Sequence, residues 1–299
     1  MSRSNIDFAV ERIDDIAIFG PDMLLKRELM SPYVWQEPGD AGFHMLLRAV
    51  PAEGAAEQDT GRIWYGRSGS DGMLFRMAEA PAIVGGNTRD AHGCEDPTVV
   101  QTADGYTVLY TGVDRDGVGH MLYATGPDMA SLAKQGIALR NSKTERNSKE
   151  AAVMRDGDRW RLLYEYAHDG HSLIGLAEGD GPGDRWHHHD DPFTIRPDMW
   201  DNYHLSTGPL LTQDTDCPIM FYNGANAQAH WGIGWVAFTP DLSAVVARSE
   251  APLIAPPDDV DGPRDIAFAA SAVVREGRIW LYYSRNDREL RRATIRRVR

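Results

Sequence analysis

The stretch ADGYTVLYT (residues 103–111) reads as a Gly-containing turn feeding a strand whose apolar residues run into a polar one. That reading decides the fold because it recurs. The same pattern stands at HMLLR (44–48), TVLYT (107–111), RLLYE (161–165), IMFYN (219–223) and WLYYS (280–284). Aligned on Leu47, Tyr110, Tyr164, Tyr222 and Tyr283, the copies are 63, 54, 58 and 61 residues apart and account for the whole chain of 299 residues. RDGDRW (155–160) and REGRIW (275–280) supply the same hairpin chemistry before two other copies. The short apolar runs DPTVV (96–100), AAVM (151–154), GPLL (208–211) and ASAVV (270–274) read as innermost strands. YATGPD (123–128), GLAEGD (175–180) and WVAFTPD (235–241) read as third strands. Repeats of this kind predict an all-β fold, a five-bladed β-propeller, filling residues 1–299 as a single catalytic domain. MASLAKQGIALR (129–140), the best helical candidate, is expected to be a short turn between blades.

Composition bounds the partners. A hydrophobic fraction of 42% with 25% charged residues suits a globular chain with a large core. The formal charge of −13 opposes nucleic acid and anionic membranes, both of which select a cationic face, and leaves a small neutral carbohydrate as the fitting substrate. Two cysteines, Cys94 and Cys217, are too few for a disulfide framework, and MSRSNIDFAVERIDD has no apolar run of signal-peptide length, so a reducing cytoplasm is expected. The run His187-His188-His189-Asp190-Asp191 lacks ligand spacing and is expected to be a solvated loop. Neither a metal nor an organic cofactor is expected.

Equivalent positions of propeller blades surround one axis. Arg48, Thr111, Glu165, Asn223 and Ser284, which follow the five aligned residues, are therefore expected to form a ring at one mouth; solvent-facing strand residues are the alternative. HGCEDPTVV (92–100) places Glu95 and Asp96 together before a proline. Strand alternation sends their side chains to opposite sides, and a turn-forming Asp-Pro explains the pair without any chemistry.

GCEDPTVV (93–100), SKEAAVMRDGDRWRLLYEY (148–166), WDNYHLSTGPLL (200–211), IMFYNGAN (219–226) and IWLYYSRND (279–287) resemble, in order, the landmarks of glycoside hydrolase family 130. The resemblance spans roughly residues 31–290. It implies a five-bladed propeller acting on β-mannosides, as a phosphorylase or a hydrolase. By it Asp96 would be the general acid, relaying its proton through a sugar hydroxyl. Arg48 and Asp287 would hold the sugar, with Glu95 beside them, and Trp231 would stack on a sugar face or else belong to the core.

The phosphorylases of that family bind phosphate with basic side chains. Lys149 stands where an arginine is usual, Glu165 where a second is usual, His204 replaces a lysine, and Asn223 replaces a histidine. Two like unit charges about 4 Å apart repel by roughly 4 kcal/mol at an effective dielectric of 20, nearly three powers of ten in affinity. Glu165 is thus expected to repel phosphate and to activate water instead, as in an inverting hydrolase, with Glu150 as the reserve base. A simple partnership of Glu165 with Lys149 is the structural alternative. The expectation is an inverting β-mannosidase. The rivals are a β-mannoside phosphorylase yielding mannose 1-phosphate, a non-catalytic sugar-binding propeller, and another propeller glycosidase class.

Overall fold

The computed structural model describes residues 6–56, 58–142, 144–183, 185–213, 217–255 and 266–298. Five blades of antiparallel strands follow one another along the chain, each beginning at its innermost strand. The second blade is the simplest: Gly93–Thr102, Gly105–Val113, Gly119–Gly126 and Ala133–Leu139 pair in chain order. The first is Arg27–Trp35, Phe43–Pro51, Arg62–Ser68 and Leu74–Met77, with Ala17–Phe19 added in parallel on its outer edge. The third is Arg146–Asp156, Arg159–His168, His171–Gly179 and His187–His189. In the fifth, Ala267–Arg275, Arg278–Arg285 and Glu289–Arg297 are completed by Phe8–Asp15 from the other end of the chain.

The aligned segments explain why the blades assemble. Each offers two adjacent apolar residues, and because strand side chains alternate, one serves each neighbouring blade. Leu46 packs with Ile63, Val108 and Tyr110, while Leu47 packs with Trp64, Tyr282 and Leu290. Leu109 joins Leu162 and Tyr164. Leu163 meets Met220 and Tyr222, and Phe221 meets Leu281 and Tyr283. The clusters thus fill the blade-to-blade junctions around the ring. Burying one such side chain stabilises by about 1.5–3 kcal/mol, so a strand apolar on both faces is what a propeller requires.

Two expectations about outer strands are corrected. Residues 129–140 contain a strand, Ala133–Leu139, and not a bare turn; the His run forms the strand His187–His189, exposed throughout. In both cases the third strand has a free outer edge of backbone donors and acceptors, which the next segment pairs with whatever its side chains. Among the described residues no three His, Cys, Asp or Glu side chains gather as a metal site.

The fourth blade is split. His204–Ser206, Asn223–Ala225 and Trp231–Ile233 form its upper half, and Leu210–Leu211, Ile219–Met220, Val236–Phe238 and Val245–Arg248 its lower half. All three continuous strands break along one line. At that line a Cβ on Gly208 would lie 2.0 Å from the Phe221 carbonyl oxygen, so only glycine permits the approach.

The feature that builds the site is a repeated bulge. The register of the innermost strand slips between Met30 and Tyr33, Glu95 and Thr98, Lys149 and Ala151, and Ala269 and Ser271. In the first three blades the inserted residues Ser31, Asp96 and Glu150 have φ of 50, 46 and 51°. Such left-handed backbone costs on the order of 1–3 kcal/mol at a non-glycine residue and recurs where a side chain must be re-aimed.

Candidate active site

The bulges turn Ser31, Asp96 and Glu150 into a funnel of about 580 Å³ at one end of the propeller. Its wall also carries Arg48, Lys149 and Glu165, with Trp231, Phe268, Ser284 and Asp287 toward the fourth and fifth blades. Four of the five innermost strands meet pairwise beneath it, Ala267–Arg275 against Arg27–Trp35, Arg27–Trp35 against Gly93–Thr102, and Gly93–Thr102 against Arg146–Asp156.

The bulge at Asp96 overturns the expectation that Glu95 and Asp96 point apart. Alternation fails at a left-handed residue, and both carboxylates meet Arg48: Nη2 lies 2.7 Å from Glu95 Oε1 and Nη1 lies 3.3 Å from Asp96 Oδ1. Ser31 Oγ donates to Asp96 Oδ1 at 2.6 Å. Burial alone would raise the Asp96 carboxyl, but Arg48, Ser31, Lys149 and Glu150 together hold it below its ordinary value. Burial raises Glu95, against the pull of Arg48. Arg48 itself is strained toward permanent charge by Glu95, Asp96 and Asp287 despite being desolvated.

Across the funnel Lys149 Nζ lies 3.3 Å from Glu165 Oε1, the two residues facing each other in register on adjacent strands. Glu165 holds Lys149 above its ordinary value. Glu150, hydrogen-bonded to Asp96, is pushed well above its ordinary value, first by burial and then by the charges of Asp96 and Glu165. That rise counts against Glu150 in the reserve role of base, since a carboxyl that still carries its proton cannot take one from water.

The expected ring is real as topology and uneven as a site. Arg48, Thr111, Glu165, Asn223 and Ser284 occupy matching places next to the innermost strands of the five blades, pairing with Met30, Glu95, Lys149, Ser206 and Phe268. Arg48, Glu165 and Ser284 reach the funnel wall. Thr111 is buried beneath it. Asn223 is fully buried and spent on backbone: Nδ2 donates to the carbonyls of Thr207 and Ala269 at 2.8 and 3.2 Å, and Oδ1 accepts from Ala269 N–H at 2.7 Å. It stitches the fourth blade to the fifth, which corrects its expected place among the sugar-binding groups.

His204 is also recast. Its Nδ1 accepts from the Ser172 N–H at 3.0 Å, its ring stacks on Trp231 at 5.7 Å and 14°, and burial lowers its basicity, so it is neutral near pH 7. It supports Trp231 from behind and brings no positive charge. Trp231 lines the funnel with Phe268 set edge-on against it at 5.4 Å, which makes an aromatic wall suited to a sugar face. Ser31 was not singled out in the sequence, although MSPY (30–33) repeats the bulge-and-proline pattern of EDPT (95–98).

The wall thus offers an acid-side cluster on Arg48, a carboxylate paired with Lys149, and an aromatic face. Arg48 and Lys149 are its cations, and both are committed to carboxylates.

Comparison with known proteins agrees in kind. The family model for glycoside hydrolase family 130, described as beta-1,4-mannooligosaccharide phosphorylase, matches residues 51–297. A 1,2-beta-oligomannan phosphorylase of Thermoanaerobacter is 22% identical over 253 residues, 82% of each chain. The fold is that of a beta-1,2-mannobiose phosphorylase from Listeria innocua in complex with beta-1,2-mannobiose, with a TM-score of 0.74 at 19% identity over 95% of this chain and 90% of that one. A structure reported under the finding that the family of mannoside phosphorylases contains glycoside hydrolases targeting beta-1,2 mannosidic linkages in Candida mannan aligns with a TM-score of 0.72. It is 19% identical over 90% of this chain and 84% of the other.

Proposed function

The chain belongs to glycoside hydrolase family 130, and on that premise we propose that it removes a terminal β-linked mannose from a manno-oligosaccharide or related glycoside by inverting hydrolysis. The observation that carries the choice of water over phosphate is Glu165, a buried carboxylate on the funnel wall whose 3.3 Å contact engages Lys149. A phosphate dianion entering there meets that negative charge, a cation already paired, and a neutral His204. Water meets an acceptor.

In this reading Arg48 and Asp287 orient the terminal sugar and the Trp231–Phe268 wall stacks against it. Asp96 delivers a proton toward the departing oxygen while Glu165 takes one from the attacking water on the other side of the ring. Net, water adds its hydroxyl to the anomeric carbon and a proton goes to the aglycone.

Phosphorolysis is the second reading, and the names of the curated relatives favour it over hydrolysis. The two readings give Glu165 opposite values. With a β-linked mannobiose in phosphate-free buffer, hydrolysis predicts that the parent turns over and that Glu165→Gln loses at least about a hundredfold in rate while binding sugar normally. A parent that is inert until phosphate is added would establish phosphorolysis instead.

A further inference from the structure

Three consecutive bulges hand their side chains to one another. Ser31 Oγ donates to Asp96, Asp96 is hydrogen-bonded to Glu150, and from the fourth blade the Thr207 hydroxyl fixes the bulge by donating to the main-chain carbonyl of Glu150. Glu150 lines the funnel with a left-handed φ of 51°, so its side chain is aimed there at a cost in backbone energy. Two carboxyls in hydrogen-bond contact share a proton, since two anions side by side, one buried and one half-buried, repel strongly.

An acid catalyst has to arrive at the reaction protonated, and the surroundings of Asp96 work against that. Arg48, Ser31 and Lys149 all favour its anion. The groups facing Glu150 act the other way: Asp96 and Glu165 disfavour a further negative charge, with Lys149 offsetting part of this and Arg48 also attracting the Glu150 carboxylate. We infer that Asp96 and Glu150 hold one proton between them, that Glu150 keeps it in the resting enzyme, and that it passes through Asp96 when the glycosidic bond breaks. Glu150 is then a positioning residue for the proton, acting through Asp96, and this role rests on the reading of Asp96 as the acid. The proton leaves Glu150 for the Asp96 carboxylate and Asp96 gives it to the departing sugar oxygen. The water proton taken by Glu165 returns to solvent, and the pair regains one from solvent through the open funnel.

Glu150→Gln keeps the hydrogen bond and removes the transferable proton, so its pH profile separates this role from a structural one. The parent should keep its activity up to neutral pH or above. Glu150→Gln should lose about a hundredfold at pH 7, with KM little changed, and regain activity progressively as pH falls toward the low range where Asp96, held below its ordinary value, begins to protonate directly. Glu150→Asp should restore part of the neutral activity. A loss of the same factor at every pH, or activity at pH 7 within about threefold of the parent, overturns the inference.

Infrared difference spectra of parent and Glu150→Gln at pH 7, taken without substrate, make the test independent of the reaction. A protonated-carboxyl carbonyl band present in the parent and missing from the variant is the expected result. Its absence from the parent overturns the shared proton whatever the substrate, whereas its presence in a protein inert toward β-mannosides with and without phosphate overturns the proposed function alone.

Discussion

Glu150 illustrates at the scale of one residue how a catalytic arrangement costs stability. Burial and the neighbouring carboxylates raise it, and a group raised in the folded state contributes stability that is present below its unfolded value and lost as pH rises through the folded one. Gln has no proton to lose. Thermal melts should therefore show Glu150→Gln gaining on the parent as pH goes from 4 to 8; a difference in melting temperature that stays constant over that range contradicts the assigned protonation. Asp96→Asn is the companion test on rate. It keeps the shape, the Ser31 contact and the fold but carries no acidic proton, so steady-state kinetics should show a loss of at least about a hundredfold. Near-normal turnover would move the acid to Glu95, which shares Arg48.

At the scale of elements, the aligned segments were legible because their chemistry is doubled: two adjacent apolar residues, one for each neighbouring blade, appear in every copy. The bulges were not. Strict alternation predicts opposite directions for Glu95 and Asp96, and one left-handed residue reverses that prediction. The outer strands Ala133–Leu139 and His187–His189 were missed because they pair on one edge and bury little, leaving no periodicity to read. The ring position of Asn223 is legible in the repeat and its work is not, since a polar residue at a blade junction satisfies backbone groups as readily as it meets a ligand. Its three hydrogen bonds carry a prediction. Asn223→Ala leaves the Ala269 N–H and two carbonyls buried without partners, so urea unfolding should show a loss of roughly 2–3 kcal/mol, with activity retained at low temperature. A stability within about 0.5 kcal/mol of the parent would mean that the stitch is dispensable.

The molecule as a whole is a ring that the chain closes on itself. Phe8–Asp15 pairs with Glu289–Arg297, and Phe8 packs edge-on against Phe221 and Trp235, both 5.4 Å away in the fourth blade. A chain beginning at Ile16 would expose that edge and should melt about 10 °C or more below the parent. Closure matters to function because the proton-holding pair, Arg48, the Lys149–Glu165 pair and the Trp231 wall come from different blades and meet only when the ring is complete. The function turns on what attacks the sugar in that shared funnel. The most direct measurement is a competition: a β-linked mannobiose turned over in oxygen-18 water with excess inorganic phosphate, followed by analysis of the released sugar. Inverting hydrolysis gives mannose carrying the heavy oxygen at its anomeric carbon, formed as the α anomer, and no mannose 1-phosphate; mannose 1-phosphate as the main product would establish phosphorolysis in its place.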